Sequence, residues 1–314
     1  MKLGIDMGGM SIKMGLVNEE NKIIGRITIP TDLTVPYQTL VERMADAVRQ
    51  MLENAGMTLE QCGGIGIGSP GTIDAKQGVI LYSNNFGWEN VPIVEELKKH
   101  LDTRIEIAND ADAAALGEVC AGAAEGAENA VLLTLGTGVG SGVILDKKIF
   151  RGAMPGGCEL GHLSIRYDGI RCTCGRKGCL EAYASASALL RIAREKAAEH
   201  PESIMNEMCG NDLEQMNGKI PFDAAKAGDE AGMETVKEYE GYLACGIANV
   251  INTFRPEKVI LRGGVAAQKD NLTAPLKDLV KDMCFGGSHG HIADIVTSVL
   301  GNDAGIIGAA NLVV

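Results

Sequence analysis

The sequence lacks the features of membrane, secreted and nucleic-acid-binding proteins. Its 314 residues contain no apolar run long enough to span a bilayer, and they open on MKLGID instead of a basic stretch followed by an apolar segment. Basic residues are scarce, since 29 Lys and Arg against 41 Asp and Glu give a net charge of -12. We therefore expect a cytoplasmic protein with no nucleic-acid or membrane partner. An anionic substrate would need local cations, helix N-termini or a metal.

A disulfide framework is also absent. Nine cysteines, an odd number, in a chain without a secretion signal are more typical of thiols or metal ligands. Six of them are scattered singly, and we interpret these as small buried hydrophobic residues: Cys62, Cys120, Cys158, Cys209, Cys245 and Cys284.

What the sequence does contain is a repeated pattern of strands and glycine turns. Residues 2–29 and 133–153 both read strand, glycine turn, strand, polar turn, strand, and three glycines match between the two segments at one constant spacing. Apolar residues at helical intervals predict a helix over 40–52, and further helices over 185–200, over 234–254 and after Asn302. The pattern predicts a duplicated α/β core, and two such domains imply a cleft between them.

The two glycine turns are candidate phosphate sites. In DMGGMSIK, the strand ends on Asp6, a possible Mg²⁺ ligand, and Gly8 and Gly9 leave the backbone N–H groups open to a phosphate. LGTGVGSG offers the same backbone pattern and the hydroxyl of Thr137. An ordinary hairpin turn is the alternative for each, and neither matches GxxxxGK[ST].

A carboxylate follows a strand in IEIANDADAAALGE. Asn109 and Asp110 lie where that strand hands over to a helix, so either residue suits a helix N-cap. The functional alternative is a general base, because sites in alternating α/β folds gather at the carboxyl ends of strands. The two interpretations are compatible.

The segment ELGHLSIRYDGIRCTCGRKGCLE carries a predicted metal site. His162, Cys172, Cys174 and Cys179 form a closed set of one imidazole and three thiolates, which is typical of structural Zn²⁺ and leaves no open coordination position. Free thiols are the alternative. Glu159 and Glu181 flank the set and are either solvated surface charges or acceptors for hydroxyl groups.

Eight motifs together resemble the ROK family (repressor, open reading frame, kinase). They are DMGGMSIKMGL, GIGSPGTID, SNNFGWENVPI, NDADAAALGE, LTLGTGVGSGVIL, ELGH, CTCGRKGCLEAYAS and VILRGGVA. The resemblance as a whole extends from Gly4 to about Ala310. The resemblance implies an α/β fold of the actin-like ATPase (ribonuclease H-like) class. In that fold two duplicated domains of the hexokinase type each contain a mixed five-stranded sheet, here with a structural zinc loop. We place the small domain at 1–112, completed by the C-terminal helix at about 302–314, and the large domain, with the zinc loop and nucleotide pocket, at 113–301.

The resemblance also assigns site residues. It implies that Asp110 is the general base that takes a proton from the attacking sugar hydroxyl, and that His162 contacts both zinc and sugar. The implied sugar positions are Asn84, Asn109, Asp110, Glu159, His162 and Glu181. The implied phosphate, Mg²⁺ and nucleotide positions are Asp6, Gly8, Gly9, Ser11, Gly136, Thr137, Gly138, Gly263 and Gly264.

The chain departs from the family pattern at two positions. Met10 replaces the usual Thr of DxGGT, so a hydroxyl contact must come from Ser11 or be lost with weaker ATP binding. Asp112 replaces the commoner Asn of NDAN and adds a negative charge beside the presumed base, which would raise the pKa of Asp110 if the two carboxyls are close.

The resemblance favours an ATP-dependent hexose kinase, foremost a glucokinase, with ATP, Mg²⁺ and structural Zn²⁺, acting as a homodimer. Fructose, allose, mannose and N-acetylmannosamine are alternative substrates. A repressor is disfavoured because the first phosphate loop begins at Asp6 and leaves no room for a DNA-binding segment. A non-catalytic sugar-binding or regulatory protein is the third alternative, supported by Met10.

Overall fold

The computed structural model describes residues 1–287, 289 and 292–313, and these fall into two compact units. Unit 1 contains Met1–Leu132, Gly142–Cys158 and the C-terminal residues from Val299 onward. Unit 2 contains Leu133–Ser141 and Glu159–Ser298. The domain boundary predicted after residue 112 stays a prediction, and the predicted ranges include Ser288, Gly290, His291 and Val314, which lie outside the described residues.

Strands build three sheets in the described part of the chain. Their bounds are β1 (Lys2–Met7), β2 (Ser11–Val17), β3 (Ile23–Pro30), β4 (Ile65–Ser69), β5 (Thr72–Asp74), β6 (Val79–Ser83), β7 (Trp88–Val91), β8 (Ile105–Asn109), β9 (Ala130–Leu135), β10 (Val139–Leu145), β11 (Lys148–Ile149), β12 (Lys258–Arg262) and β13 (Asp294–Thr297).

Helices cover these sheets. Their bounds are α1 (Tyr37–Asn54), α2 (Ile93–Lys98), α3 (Asp110–Ala121), α4 (Glu181–Ala184), α5 (Ala186–Glu199), α6 (Ile204–Met208), α7 (Ile220–Lys226), α8 (Glu230–Phe254), α9 (Asp270–Met283) and α10 (Asp303–Ala310). In the residues that the structure describes, no helix combines the length and the hydropathy needed to cross a membrane.

The two five-stranded sheets share one topology. Their strand orders are β3-β2-β1-β4-β8 and β11-β10-β9-β12-β13. When the five strands of each sheet are numbered along the chain, both sheets have the same spatial order, 3-2-1-4-5. Each is mixed: β1–β2 and β10–β11 pair antiparallel, whereas β1–β4, β4–β8 and β12–β13 pair parallel. The predicted duplication is thereby confirmed, and the fold is that of the actin-like ATPases.

The core of unit 1 follows from the sequence periodicity. Helix α1 buries the residues that the helical pattern selected, among them Leu40, Met44 and Leu52, against the apolar side chains of the first sheet. Each such side chain contributes about 1.5–3 kcal/mol on full burial. The single cysteines match their interpretation only in part, since Cys62, Cys209 and Cys284 are buried and Cys120, Cys158 and Cys245 are half-buried.

Helix α10 lies directly on the first sheet because glycines remove the intervening side chains. A Cβ at Gly4 of β1 would clash with the carbonyl of Ile306, and one at Gly66 of β4 with the carbonyl of Ala309. Backbone therefore packs on backbone, a close approach that glycine permits. The helix predicted after Asn302 corresponds to α10, whereas no element was predicted for residues 72–91, where the structure has the three-stranded sheet β5-β6-β7.

Candidate functional site

The first glycine turn connects β1 to β2 in unit 1. The N–H of Gly8 donates to the carbonyl of Ser11 (3.0 Å), and Thr31 donates its hydroxyl to the carbonyl of Gly8 (2.6 Å) and its N–H to the carbonyl of Met10 (3.0 Å). These hydrogen bonds stabilise the turn, whereas Met10 at its tip is 91% exposed. Space around Gly9 is open, because a Cβ there would meet nothing within 4 Å.

Asp6 is half-buried near the end of β1, beneath helix α10. A Cβ on Gly305 of α10 would lie 2.7 Å from the carboxyl carbon of Asp6, so this glycine makes room for the carboxylate. Asp6, the predicted Mg²⁺ ligand, thus lies at the base of the first turn, near Gly8, Gly9 and Ser11.

Asn109 and Asp110 occupy the junction between β8 and α3, where Asn109 is the N-cap. Its side-chain oxygen accepts from the N–H of Ala111 (2.8 Å), and its Nδ2 donates to the carbonyl of Gly71 (3.1 Å). Asp110 is the first helical residue, and its Oδ1 also accepts from the N–H of Ala111 (3.0 Å). Asn109 therefore caps the helix, whereas the candidate general base is the neighbouring Asp110. The capping and the general-base interpretations of this junction are thus compatible.

Asn84 lies on a separate turn after β6, exposed, with its side-chain oxygen 3.4 Å from the hydroxyl of Tyr82. Near the N-terminus of α3, unit 1 also encloses a cavity of about 230 Å³. Asn109, Asp112 and the loop 151–157 line it, and Asp112 is only 4% exposed. Asp112, which stands where the family pattern commonly has Asn, therefore places its carboxyl group in the wall of this cavity.

The second glycine turn connects β9 to β10 and belongs to unit 2. The N–H of Gly136 donates to the carbonyl of Gly138 (3.0 Å), which closes the turn as Gly8 and Ser11 close the first one. The start of α5 supports it, because the N–H of Ala186 donates to the carbonyl of Gly136 (2.8 Å) and the hydroxyl of Ser187 to that of Thr137 (3.0 Å). Thr137 itself is exposed.

A cavity of about 490 Å³ adjoins this turn, since Ala186 lines the cavity and donates its N–H to the carbonyl of Gly136. Gly264 lines the cavity, whereas Gly263 lets the chain pass close to β9, where a Cβ would clash with the carbonyl of Leu135. The polar lining residues Lys219, Asp223, Lys226, Gln268 and Asn271 were not among the predicted site residues. No motif marks them, because they come from two separate segments, 219–226 at α7 and 268–271 at the start of α9, which the fold brings together.

The predicted metal ligands meet in unit 2. The ligand atoms of His162, Cys172, Cys174 and Cys179 all lie within 4.8 Å of one another. Nδ1 of His162 is 3.7 Å from Sγ of Cys172, and the Sγ atoms of Cys174 and Cys179 are also 3.7 Å apart. Burial is the leading cause that raises the pKa of the Cys179 thiol to about 12, and the neighbouring thiols add to it.

These distances fit a tetrahedral zinc site. Zn–S bonds of about 2.3 Å in a tetrahedron place two sulfurs about 3.8 Å apart. The Cys174–Cys179 separation matches that value, and it is far too long for a disulfide. A dication would also stabilise the thiolate of Cys179 against the effect of burial. Because Nδ1 of His162 faces the sulfurs, Nε2 is directed away from the cluster.

Glu181 connects the second glycine turn to the cysteine cluster, the set of four predicted metal ligands His162, Cys172, Cys174 and Cys179. Its Oε2 accepts from the N–H of Val139 (3.0 Å), while its Oε1 accepts from the hydroxyl of Thr173 (2.9 Å) and the thiol of Cys172 (3.5 Å). Glu181 is therefore not a solvated surface charge. Glu159 is exposed and opens the short 3-10 turn Leu160–His162, and its carbonyl accepts from the N–H of His162 (3.0 Å).

Known proteins resemble the chain along its whole length. The ROK family profile matches residues 2–314. A glucokinase of Thermotoga maritima is 36% identical over 99% of this chain and 96% of its own. A ROK family glucokinase of Streptomyces griseus, solved with glucose and AMPPNP, is 31% identical with a TM-score of 0.79 and covers 99% of this chain and 98% of its own.

A relative described as a repressor also matches. The xylose repressor of Caldicellulosiruptor bescii is 29% identical over 90% of this chain and 70% of its own. With the profile match spanning residues 2–314, the chain belongs to the ROK family.

Proposed function

We propose that this ATP-dependent sugar kinase of the ROK family transfers the γ-phosphate of ATP to a hexose, with glucose as the foremost substrate. The products would be glucose 6-phosphate and ADP. Catalysis of this reaction rests mainly on positioning and on stabilising the charge of the transferred phosphoryl group. Fructose, allose, mannose and N-acetylmannosamine are the other candidate acceptors.

The observation that carries this proposal is the cavity beside the second glycine turn. A volume of about 490 Å³ falls in the range of pockets for small molecules, and it is bordered by Lys219 and Lys226. Ala186 connects it to the turn of Gly136, because its N–H donates to the Gly136 carbonyl, and a glycine turn of this kind suits a phosphate. We assign the cavity to the nucleoside of ATP and the turn Gly136, Thr137 and Gly138 to its phosphates.

On unit 1, we assign the first turn and Asp110 to the chemical step. Asp6 would hold Mg²⁺, directly or through water, next to Gly8, Gly9 and Ser11. Asp110 would take the proton from the attacking hydroxyl, which requires a carboxylate within hydrogen-bond reach of that hydroxyl. Its position at the carboxyl end of β8 is the place where α/β folds present such residues.

For the sugar, we assign Asn84 and Asn109 of unit 1 and Glu159, His162 and Glu181 of unit 2. His162 would bind zinc through Nδ1 and a sugar hydroxyl through Nε2, because metal on one imidazole nitrogen fixes the direction of the other. Zn²⁺ would be held by His162, Cys172, Cys174 and Cys179 and would stabilise the loop without taking part in the chemistry.

A sugar-binding protein without turnover is the second candidate. Met10 supports it, because a thioether that is 91% exposed cannot donate a hydrogen bond to phosphate. The homology to the xylose repressor of Caldicellulosiruptor bescii supports it as well. A cytoplasmic location and a homodimer remain parts of our proposal.

The test is a panel of hexoses assayed for ADP release with Mg–ATP. The proposal expects release that depends on the sugar, with the highest kcat/KM for glucose or for another hexose of the panel. Sugar binding measured by calorimetry, together with no ADP release for any hexose, would instead establish the non-catalytic alternative.

A further inference from the structure

Glu118 is a fully buried carboxylate at the C-terminal end of α3. Its exposed fraction is 0%, and it accepts hydrogen bonds from three backbone N–H groups. Oε2 accepts from Ala123 (2.8 Å) and Val299 (3.4 Å), and Oε1 accepts from Leu300 (3.1 Å). A negative charge at a helix C-terminus opposes the helix dipole, so α3 by itself does not favour this residue. Its effect must come from the groups that it holds.

Those groups belong to the segment that leads into α10. Leu300 accepts from the N–H of Asp303, the first residue of α10, so the bond from Leu300 to Glu118 fixes the start of that helix. Gly122 makes space for the carboxylate, because a Cβ at this position would clash with Oε2 of Glu118.

Helices α3 and α10 then touch along their backbones. A Cβ at Gly117 would clash with the carbonyl of Ala304, and one at Gly308 with the carbonyl of Ala113. With no side chains between them, neither helix can shift without moving the other, since packed interiors deform little.

One of these helices carries a residue of the proposed chemistry, and the other packs against one. Helix α3 begins with Asp110, about two turns before Glu118. Helix α10 packs on Asp6 through Gly305. We infer that Glu118 is a positioning residue for phosphoryl transfer, which sets the place of Asp110 relative to Asp6 by tying α3 to the start of α10. The inference rests on the proposed function and goes beyond the residues that contact substrate.

The test compares Glu118→Gln with Glu96→Gln. The Gln amide keeps the shape but offers one acceptor oxygen, so the N–H groups on one side of Glu118 lose their partner. Glu96 is a matched control, because it is also buried in unit 1 and accepts instead from Lys99 (2.6 Å). Gly122→Ala is the second test variant, since it displaces the carboxylate without removing it.

We expect Glu118→Gln and Gly122→Ala to lower kcat by about 10- to 100-fold, the cost of a displacement of roughly 1 Å at a reacting centre. The half-saturating Mg²⁺ concentration should rise at least about threefold, because Asp6 and Asp110 move relative to each other. Glu96→Gln should keep the wild-type kcat and Mg²⁺ dependence.

A wild-type kcat and Mg²⁺ dependence in either folded test variant would overturn the inference. Binding of Mg–ADP, measured by calorimetry, separates this failure from a failure of the proposed function, because it requires no turnover. If the wild type phosphorylates no hexose, weaker Mg–ADP binding in both test variants still supports the positioning role, and unchanged binding refutes it.

Discussion

The carboxylate of Glu181 accepts a hydrogen bond from the backbone N–H of Val139, at 3.0 Å. Its other oxygen accepts from Thr173 in the cysteine loop, so one side chain connects the cluster of metal ligands to the second glycine turn. A change in the zinc loop should consequently reach the turn that we assign to phosphate.

Substitution of Gly138 should displace the side chain of Glu181 while leaving its carboxylate group chemically unchanged. A Cβ at this position would clash with Oε2 of Glu181, so Gly138→Ala should displace the carboxylate. We expect kcat/KM for the hexose to fall about tenfold or more, the loss of roughly one hydrogen bond to a charged group. Gly241→Ala is the control, because a Cβ there meets nothing within 4 Å. Equal kinetics for the two variants would contradict the assignment of Glu181.

Removal of one thiolate should lower both metal content and sugar affinity. Cys174→Ala leaves three ligands, so we expect loss of about one zinc per chain by elemental analysis, a lower melting temperature and a higher Kd for the hexose through His162. Cys209→Ala, which removes a buried thiol outside the cluster, is the control. Unchanged sugar binding in Cys174→Ala would break the link between zinc and sugar, and a metal-free, fully active wild type would refute the ligand set.

Asp110→Asn tests the general base. The amide keeps the size of the side chain but cannot take a proton, so we expect kcat to fall by about 10² to 10⁴ while the hexose Kd stays within about threefold. Asp102→Asn, an exposed aspartate before β8, should behave as the wild type. A fully active Asp110→Asn enzyme would remove this residue from the mechanism.

Met10→Thr tests the departure in the first phosphate turn. A hydroxyl at this position restores a donor that a thioether lacks, and hydrogen bonds to charged groups contribute about 1.5–3 kcal/mol. We expect the KM for ATP to fall by roughly tenfold, with little change for the hexose. Met154→Thr serves as the control, because Met154 is a second strongly exposed methionine. The same KM for ATP in Met10→Thr and the wild type would mean that the turn binds phosphate without this contact.

Glu240 predicts a pH dependence of stability. It is 6% exposed on α8, its Oε1 has no hydrogen-bond partner among the described residues, and burial raises its pKa to about 7. In the unfolded chain Glu240 has its ordinary glutamate pKa. At pH values between that pKa and about 7, the folded state binds more protons at Glu240 than the unfolded state does. The free energy of unfolding therefore falls as the pH rises through this window. Above pH 7 the folded protein carries a buried charge, at a cost on the order of 3 kcal/mol.

Glu240→Gln removes that charge and checks the sign. We expect the variant to gain about 1–3 kcal/mol of unfolding free energy over the wild type at pH 8, and to gain little at pH 5. Denaturant titrations at both values measure the difference. An equal gain at both pH values would show that burial of the carboxylate is not the cause.

Much of this molecule is readable from its sequence because the signals are local. Helix α1, the turns at Gly8 and Gly136 and the ligand set from His162 to Cys179 follow from spacing within short segments. The wall of the cavity that we assign to ATP and the partners of Glu118 do not follow from such local spacing. Leu300 and Glu118 are 182 residues apart in the chain, and only the packing of α10 on the first sheet brings them together. The β5-β6-β7 sheet was missed because its strands are short and partly exposed.

Detection of the phosphorylated product tests the central claim most directly. Wild-type protein, Mg–ATP and glucose are incubated, and the products are identified by ³¹P NMR. The account predicts glucose 6-phosphate and ADP in equal amounts, with formation abolished in Asp110→Asn. Release of inorganic phosphate instead of a sugar phosphate, or no consumption of ATP with any hexose of the panel, would contradict it.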